Sequence, residues 1–244
     1  MKPTFSRERL LKIQQLESWH FWFVARRVMI LDMLKERQVS PASTVVDLGC
    51  GTGYMANVLT AHARRVIGID QHRDGIAATQ MGHPVLSGVQ ADAVSIPLDN
   101  SSIDGVLLLD MLEHLDDRRV LSETLRVLKR GGWAVVTVPA FPALWSYRDQ
   151  AAGHLRRYSR AGFENLLKEY FEVPLLRYYQ FLLFPLLVIS RYLGRKNPRT
   201  RDLEENIPGF LNTLLTCWMQ WENRIGKKIY LPWGSSMVAL CVKK

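Results

Sequence analysis

Three glycines stand at alternate positions directly after a short apolar run, in the stretch VVDLGCGTGY at residues 45–54. A strand that runs into a glycine-rich turn and then a helix is the usual way in which an α/β protein holds a nucleotide. The spacing G-x-G-x-G puts Tyr54 where the dinucleotide fingerprint G-x-G-x-x-G has its third glycine, and no Walker sequence GxxxxGK[ST] is present. The loop therefore predicts an adenosine-type ligand without a cradle for phosphates.

Acidic side chains follow the neighbouring predicted strands. Asp70 ends the second strand, where a carboxylate can accept hydrogen bonds from both hydroxyls of a ribose. Asp92 follows the third strand beside the small Ala93, where an adenine amino group could be met, and DMLEHLDD at residues 110–117 follows the fourth. Because ligands of an open parallel sheet bind at the carboxyl ends of its strands, these residues are candidate contacts. Helix capping, a turn or a core hydrogen bond would also explain each of them.

Apolar runs and amphipathic segments alternate between residues 41 and 140, and the runs lack the polar alternation of a half-exposed strand. This pattern is typical of a parallel sheet that helices cover on both faces. The other predicted elements are a helix over residues 7–37 that ends at Ser40-Pro41, an amphipathic helix over residues 116–132 that ends at a glycine pair, a helical insertion over residues 182–230 interrupted by Pro185, Pro198 and Pro208, and a last strand within residues 235–244.

The composition narrows the function classes. The chain has 244 residues, of which 48% are hydrophobic, and this suits one domain with a small cap. A net charge of +9 fits nucleic acid, an anionic membrane surface, an acidic substrate or simply good solubility. The three cysteines have no metal-binding or disulfide spacing, so we predict no metal site and a reducing cytoplasm. Residues 1–15 lack the pattern of a signal peptide, and the longest apolar stretch, residues 181–189, is too short to cross a membrane.

Five stretches resemble the successive motifs of the class I S-adenosylmethionine-dependent methyltransferases, most closely those of the broad type 11 group. They are VVDLGCGTG, GID, ADAVSIPL, SIDGVLLLDMLEHLDD and VLKRGGWAVVTVP, and they occur in the order of the family across residues 45–140. The flanking stretches SWHFWFVARR and WSYRDQAAGHLRRYSR resemble a bacterial subgroup whose members are often encoded near sugar and lipid-carrier enzymes.

The resemblance implies an α/β, Rossmann-like sheet of seven strands, mostly parallel with the last strand antiparallel. It implies S-adenosyl-L-methionine as cofactor and S-adenosyl-L-homocysteine as product. The implied regions are an N-terminal helical lid (residues 1–40), the core (residues 41–181 and 231–244) and an acceptor cap formed by the insertion (residues 182–230). The implied cofactor contacts are Asp47, Gly49, Gly51 and Gly53 around the methionine part, Asp70 with Gln71 beside it at the ribose, Asp92 and Ala93 at the adenine, and Asp110, Met111 and His114 beneath the methyl group.

Two further segments join the predicted site by the same resemblance. Trp22 and Arg26 lie four residues apart on one face of the N-terminal helix, and in the family such a helix closes over the cofactor so that an arginine can meet its carboxylate. Core packing would explain the aromatic run WHFWF as well. The basic cluster at residues 191–202 follows the apolar stretch 181–189, and it is either a solvated loop or a contact with anionic lipid headgroups.

Methyl transfer from a sulfonium is an in-line displacement in which the protein mainly aligns the nucleophile and excludes water. An oxygen or nitrogen acceptor must also lose a proton, and histidine suits that role near neutral pH. We predict His154 as this base, with His114 as the second candidate. The predicted acceptor wall consists of Trp145, Tyr147, Arg156, Arg157 and Tyr158, whose adjacent arginines favour an acceptor with a carboxylate or phosphate unless they pair with Asp149 or Glu164.

These features predict a methyltransferase that acts on a small-molecule or lipid- or sugar-linked acceptor, at oxygen rather than nitrogen or carbon. We expect it in the cytoplasm, with peripheral contact at the inner membrane face as a further expectation. One alternative is an RNA or other nucleic-acid methyltransferase, which the charge favours and the lack of a [DN]PP[YF] or Pro-Cys motif opposes. Another is a non-catalytic, cofactor-binding peripheral membrane module. A dinucleotide oxidoreductase is opposed by Tyr54.

Overall fold

The computed structural model describes residues 7–80, 86–193 and 207–244, and these contain one seven-stranded sheet. Its strands are β1 Thr44–Leu48, β2 Arg65–Asp70, β3 Leu86–Gln90, β4 Ile103–Leu109, β5 Leu128–Pro139, β6 Glu172–Tyr179 and β7 Ser236–Val242. They lie in the order β3-β2-β1-β4-β5-β7-β6, and β7 is antiparallel to both of its neighbours while the first five strands pair in parallel. The predicted fold class is confirmed.

Two apolar clusters cover the two faces of the sheet. Successive residues of β1 belong to different clusters: Val46 packs in one and Val45 in the other, and both are buried. Side chains of a strand alternate between its faces, so a strand that is buried on both faces needs apolar residues at every position. This explains the continuous apolar runs in the sequence.

The helices flank this sheet. In chain order they are α1 Arg7–Leu16, α2 Phe21–Glu36, α3 Tyr54–Leu59, α4 Arg73–Gln80, α5 Asp117–Val127, α6 Tyr147–Ala152, α7 Arg160–Lys168, α8 Phe184–Leu193 and α9 Gly209–Gly226, with short 3₁₀ turns at Leu112–His114 and Pro142–Leu144.

The prediction of one helix over residues 7–37 is wrong, because the chain leaves the helix after Leu16 and starts α2 at Phe21. His20 adopts an extended backbone at the N-cap of α2. The side chain of Asn212 on α9 accepts a hydrogen bond from the Phe21 amide at 2.8 Å and donates one to the Trp19 carbonyl at 2.8 Å. A distant residue therefore satisfies backbone groups on both sides of the break.

The helix predicted over residues 116–132 also ends earlier, at Val127. Leu128 pairs with Ile103 of β4, and Gly131 and Gly132 exchange backbone hydrogen bonds with Lys243 at the end of the chain. Pairing with strands on both sides thus draws residues 128–132 into the sheet.

The insertion between β6 and β7 contains α8 and α9. Pro185 lies in the first turn of α8, where proline is tolerated, and does not interrupt the helix. Pro208 is the N-cap of α9, and Pro198 lies outside the described residues. Most of the basic cluster at residues 191–202 lies outside them as well. In the described part of the chain, none of the helices has the length and apolar character needed to cross a membrane.

Candidate functional site

A cavity of about 290 Å³ opens at the carboxyl ends of β1, β2 and β4, beneath residues of α1 and α2. This is where an open parallel sheet binds its ligand. Most residues predicted for the cofactor and for catalysis lie in its wall. They are Trp22, Arg26, Asp47, Gly49, Gly51, Asp70, Gln71, Asp92, Ala93, Asp110, Met111, His114 and His154.

The glycine loop needs its glycines for two reasons. Gly49 and Gly51 have φ angles of 76° and 54°, which lie in the left-handed region that side chains rarely adopt. A Cβ atom on Gly49 would also lie 3.2 Å from the Cβ of Met111. Gly53 has the same kind of backbone (φ 77°) but serves as the N-cap of α3 and is not part of the cavity wall.

A fourth glycine, Gly75, allows α4 to pack against the glycine loop. A Cβ atom on Gly75 of α4 would lie 2.2 Å from the carbonyl oxygen of Gly51, so α4 can approach the loop only because this residue is glycine. Gly75 was not among the predicted site residues, although its position just after Asp70 and the second strand was a usable signal.

Asp70 holds the loop in place and still faces the cavity. Its Oδ2 accepts a hydrogen bond from the Gly51 amide at 2.8 Å, and its Oδ1 accepts one from the His72 amide at 2.8 Å. Each carboxylate oxygen has two lone pairs, so both oxygens retain capacity for a ligand hydroxyl. Asp92 lies farther along the wall, where its Oδ1 accepts from the Val94 amide at 3.1 Å.

Asp47 is a buried acidic residue beside the glycine loop. It is only 3% exposed, and its Oδ2 has no hydrogen-bond partner in the described protein. Burial, with lesser contributions from Glu17 and Asp70, raises the pKa of Asp47 to about 7, although the charge of Arg26 opposes this. A buried carboxylate oxygen normally has a donor. The cavity at this point therefore suits a ligand group that is cationic or donates hydrogen bonds.

Arg26 reaches the cavity from α2. Its guanidinium forms an ion pair with Asp110 and lies over the Trp22 ring, 4.4 Å from the ring centroid. Asp110 also accepts a hydrogen bond from the Thr137 hydroxyl at 3.0 Å. The predicted Trp22 and Arg26 are thus positioned over the loop, with Arg26 tied to the end of β4.

Glu17 and Thr52 also line the cavity, and the sequence analysis missed both. The Thr52 hydroxyl donates a hydrogen bond to the Glu17 carboxylate. Burial raises the pKa of Glu17, although this hydrogen bond and the charges of Arg26 and Arg27 oppose the shift. The contact joins the N-terminal helices to the glycine loop.

The two predicted catalytic histidines lie together at the other end of the cavity. Their ring centroids are 4.8 Å apart, in an edge-to-face arrangement. The His154 Nδ1 lies 3.1 Å from the Oδ1 of Asp149, and the His114 Nδ1 lies 3.2 Å from the Gly153 carbonyl oxygen. Burial and the neighbouring His154 lower the pKa of His114 to about 4, so this ring is neutral near pH 7.

Asp149 is a buried anchor for this end of the site. It accepts hydrogen bonds from Arg157 at 2.8 Å and Arg191 at 3.0 Å, in addition to its contact with His154. Burial alone would raise its pKa, but the hydrogen bond to His154 and the two guanidinium groups hold the pKa of Asp149 below its usual range. Because the ionised carboxylate can only accept a hydrogen bond, the Nδ1 of His154 donates to it, and in the neutral ring Nε2 is then the proton acceptor.

Glu113 lies directly behind the histidines. It is 1% exposed, and within the described ranges no group is hydrogen-bonded to either of its carboxylate oxygens, although Oε1 lies 3.9 Å from the His154 Nε2. Burial and then the charge of Asp110 raise the pKa of Glu113 well above its usual value. The sequence analysis considered Glu113 only as a cap or a core hydrogen-bonding residue.

The same three residues could also hold a metal ion by their geometry. One ligand atom each from Glu113, His114 and His154 lies within 4.8 Å of the other two. The cysteine spacings on which the prediction of no metal site rested do not include these three residues.

The predicted acceptor wall is not part of the cavity. Arg156 and Tyr158 contact Asp117 at 2.6 Å and 3.0 Å, and Arg157 pairs with Asp149. Trp145 and Tyr147 flank the capping box of α6 and are not cavity-lining residues either. Carboxylates of the protein thus occupy both guanidinium groups: Arg157 pairs with Asp149, one of the two alternative partners named above, and Arg156 pairs with Asp117 instead of Asp149 or Glu164.

Residues 46–136 match the type 11 methyltransferase family, which is described as a methyltransferase domain. This segment is a methyltransferase domain. It runs from β1 into β5 and contains every predicted cofactor residue except Trp22 and Arg26.

Curated relatives share this methyltransferase domain. A probable S-adenosylmethionine-dependent methyltransferase of Mycobacterium tuberculosis is 32% identical over 128 residues, which are 52% of this chain and 46% of that protein. The ubiquinone biosynthesis O-methyltransferase of Hahella chejuensis is 31% identical over 108 residues, or 41% of this chain and 45% of that protein. The chain therefore spans less than half the length of these relatives.

The fold extends the similarity over the whole chain. A Haloferax volcanii protein, solved in complex with the methyltransferase activator Trm112, superposes with a TM-score of 0.64 at 19% identity, covering 97% of this chain and 94% of that one. The elements around the methyltransferase domain thus have counterparts in a known structure of the same fold.

Proposed function

We propose that the protein is an S-adenosylmethionine-dependent methyltransferase whose acceptor is a small or lipid- or sugar-linked molecule that is methylated at oxygen. The observation that carries this proposal is the row of carboxylates along one cavity, in which Asp47 keeps an unpartnered, buried oxygen beside the glycine loop. The relatives named above support the reaction class.

The residues of the cavity fit S-adenosylmethionine part by part. The Oδ2 of Asp47, to which no described residue donates, suits the ammonium of the methionine part, and Arg26, which also pairs with Asp110, lines the cavity and could meet its carboxylate. Asp70 retains acceptor capacity for the ribose hydroxyls. Asp92 and the buried Ala93 would meet the adenine. The bound cofactor supplies an activated methyl group.

The chain's contribution to the reaction is alignment, exclusion of water and removal of one proton. The glycine loop forms part of the cavity wall, and residues of α1 and α2 cover the cavity. His154 would accept the proton of an acceptor hydroxyl at Nε2, because Asp149 holds its Nδ1. The acceptor oxygen, freed of its proton, would receive the methyl group that the bound cofactor supplies, and S-adenosylhomocysteine would be the product.

The preference for an oxygen acceptor rests on two supports. A histidine held by a carboxylate is suited to deprotonating a hydroxyl, and the Hahella relative is named an O-methyltransferase. A lipid- or sugar-linked acceptor is supported by the apolar character of the insertion, which includes α8 and α9. We place the reaction in the cytoplasm, with peripheral contact at the inner membrane face.

Transfer of a radioactive methyl group tests the proposal. The full chain is incubated with methyl-labelled S-adenosylmethionine and, in separate reactions, with a lipid extract, hydroxylated aromatic compounds and RNA. We expect alkali-stable label in an organic-soluble acceptor and none in RNA, and no label with Asp70→Ala. Label in RNA alone would support the nucleic-acid alternative, and cofactor binding without any transfer would support the non-catalytic one.

A further inference from the structure

Helix α9 buries the polar residues Asn212, Glu222 and Asn223 and exposes most of its large apolar side chains. The outer face of α9 consists of Phe210, Leu211, Leu214, Trp218 and Trp221, whose spacing of three and four residues forms one stripe along the helix. Phe210 is 73% exposed, Leu214 60%, Trp218 50% and Trp221 53%. A surface helix normally shows the opposite arrangement, so these exposures require an explanation.

The inward polar residues explain how the helix tolerates this arrangement. Glu222 accepts hydrogen bonds from the amides of Phe181 and Leu182, each at 2.9 Å. Asn223 donates one to the Ala25 carbonyl at 3.0 Å. With Asn212, which bonds the break between α1 and α2, these side chains fix the orientation of α9 through backbone groups that need partners. The helix therefore cannot rotate to bury its aromatic face.

Exposed apolar residues also occur in neighbouring segments. Leu183 and Leu187 of the α8 region belong to one apolar cluster with Met219 of α9 and Ala25 of α2, so the α8 region and α9 share this cluster with α2. Leu186 of α8 is 63% exposed and Tyr230, just after α9, is 62% exposed. The segments on both sides of α9 in the chain therefore also expose apolar side chains.

The charges of this region favour one kind of occupant. Glu222 is the sole acidic residue between residues 207 and 233, and it is buried. Arg224 and Lys228 follow the outer face at the end of α9 and are exposed, whereas Lys227 between them pairs with Asp32 and Glu36 of α2. Tryptophan and tyrosine beside basic residues are typical of segments that lie at a bilayer surface, where the rings enter the headgroup region and the cations meet anionic lipids.

We propose that the outer face of α9 is a membrane-docking surface that binds anionic lipid bilayers. The surface lies close to the cavity, because α9 packs on α2, whose Trp22 and Arg26 line the cavity. Delivery of a lipid-linked acceptor through this surface rests on the proposed function. The docking itself depends only on the face of α9.

Flotation with lipid vesicles tests the docking. The full chain should float with vesicles of equal parts phosphatidylglycerol and phosphatidylcholine, and weakly with phosphatidylcholine alone. The double variant Trp218→Glu/Trp221→Glu should lose binding by roughly tenfold or more. Leu155→Glu is the matched control, since Leu155 is 61% exposed but lies outside the region of α8 and α9, and it should float like the unchanged chain. Arg224→Gln/Lys228→Gln should reduce the preference for the anionic vesicles.

A second variant keeps the test valid if the glutamates disturb folding. Trp218→Phe/Trp221→Phe preserves the apolar face and should still float, but quenching of its tryptophan fluorescence by brominated lipids should fall sharply. Flotation that the Glu substitutions leave unchanged would overturn the proposal, and so would quenching that the Phe substitutions leave unchanged. A dimer that only the Glu variant disrupts, without flotation of the unchanged chain, would assign the surface to a second copy. Binding of S-adenosylmethionine, measured on the same samples, reports separately on the proposed function.

Discussion

At the scale of single residues, some carboxylates form ion pairs with arginines of the protein, and others have an oxygen that a ligand could pair with. Asp149 and Asp117 are paired with arginines. Asp47 and Glu113 are buried, but they have carboxylate oxygens to which no residue of the described chain donates. An unpaired buried carboxylate destabilises a free protein, and because Asp47 lies in the cavity wall, a ligand bound there can pair with it.

The raised pKa of Asp47 makes cofactor binding depend on pH. The carboxyl has a pKa of about 7 in the free protein, and it must be ionised to pair with an ammonium. Affinity for S-adenosylmethionine should therefore fall by about eightfold from pH 7.5 to pH 6, with uptake of a proton by the buffer. Calorimetry in buffers of different ionisation enthalpy measures both quantities. Asp47→Asn should bind weakly at both pH values, whereas Asp99→Asn, at an exposed position, should behave as the unchanged chain.

The same shift has a consequence for stability with a definite sign. Because the folded state holds the Asp47 proton more tightly than the unfolded chain does, Asp47 stabilises the protein at pH values below 4, and this contribution is lost as the pH rises through about 7. Asp47→Asn should thus raise the Tm of the ligand-free protein at pH 8 and leave it nearly unchanged at pH 4. A lower Tm at pH 8 would show that Asp47 is already paired in the free protein.

His154 should affect transfer and not cofactor binding. His154→Gln removes the proton acceptor, so kcat should fall by a factor on the order of 10²–10⁴, while Kd for S-adenosylmethionine stays within about twofold. His62→Gln, at an exposed position, is the control. Transfer assays with and without a chelator separate proton acceptance from binding of a cation by Glu113 and the two histidines. Equal rates for His154→Gln and the unchanged chain would remove His154 from the mechanism.

At the scale of elements, the approach of α4 to the glycine loop is a structural requirement of the site. Gly75→Ala would place a methyl group 2.2 Å from the Gly51 carbonyl oxygen and must displace the loop. We expect a loss of about 1–3 kcal/mol in the free energy of unfolding and weaker cofactor binding. Gly209→Ala is the matched control, because a Cβ there meets nothing within 4 Å. Thermal melts and calorimetry on both variants test this, and equal behaviour would contradict it.

The elements that the sequence predicted well are those defined by local pattern. The first five strands and the loop at Gly49–Gly53 are encoded by adjacent residues, because burial on both faces and a left-handed turn each demand particular residue types at fixed positions. The break before α2 and the end of α5 were predicted wrongly. Asn212 and Lys243 set these ends from the far side of the chain, so no local pattern contains them.

In the functional site, too, some residues could be predicted from local pattern and topology, and others could not. Strand-end carboxylates such as Asp70 were predicted to line the ligand cavity and lie in its wall, because topology alone brings strand ends together. The wall predicted from Arg156 and Arg157 was not found, since their pairing depends on how residues 141–158 fold back onto α5. Glu113 is buried because several elements pack around it, and no local sequence pattern indicates this burial.

At the scale of the whole molecule, α2 lies between the cavity and the exposed face of α9. Trp22 and Arg26 face the cavity, while the Ala25 carbonyl accepts a hydrogen bond from Asn223 of α9. A displacement of α9 would therefore act on α2 and on the cover of the cavity. This arrangement connects the outer surface of the protein to the site where the methyl group would be transferred.

Calorimetry with S-adenosylmethionine, S-adenosylhomocysteine, NAD and NADP tests the central claim most directly, because it needs no knowledge of the acceptor. The account predicts micromolar affinity for the first two ligands, no binding of the nucleotides, and loss of binding in Asp70→Ala. Binding of NAD or NADP, or unchanged affinity in Asp70→Ala, would contradict the assignment of this cavity to S-adenosylmethionine.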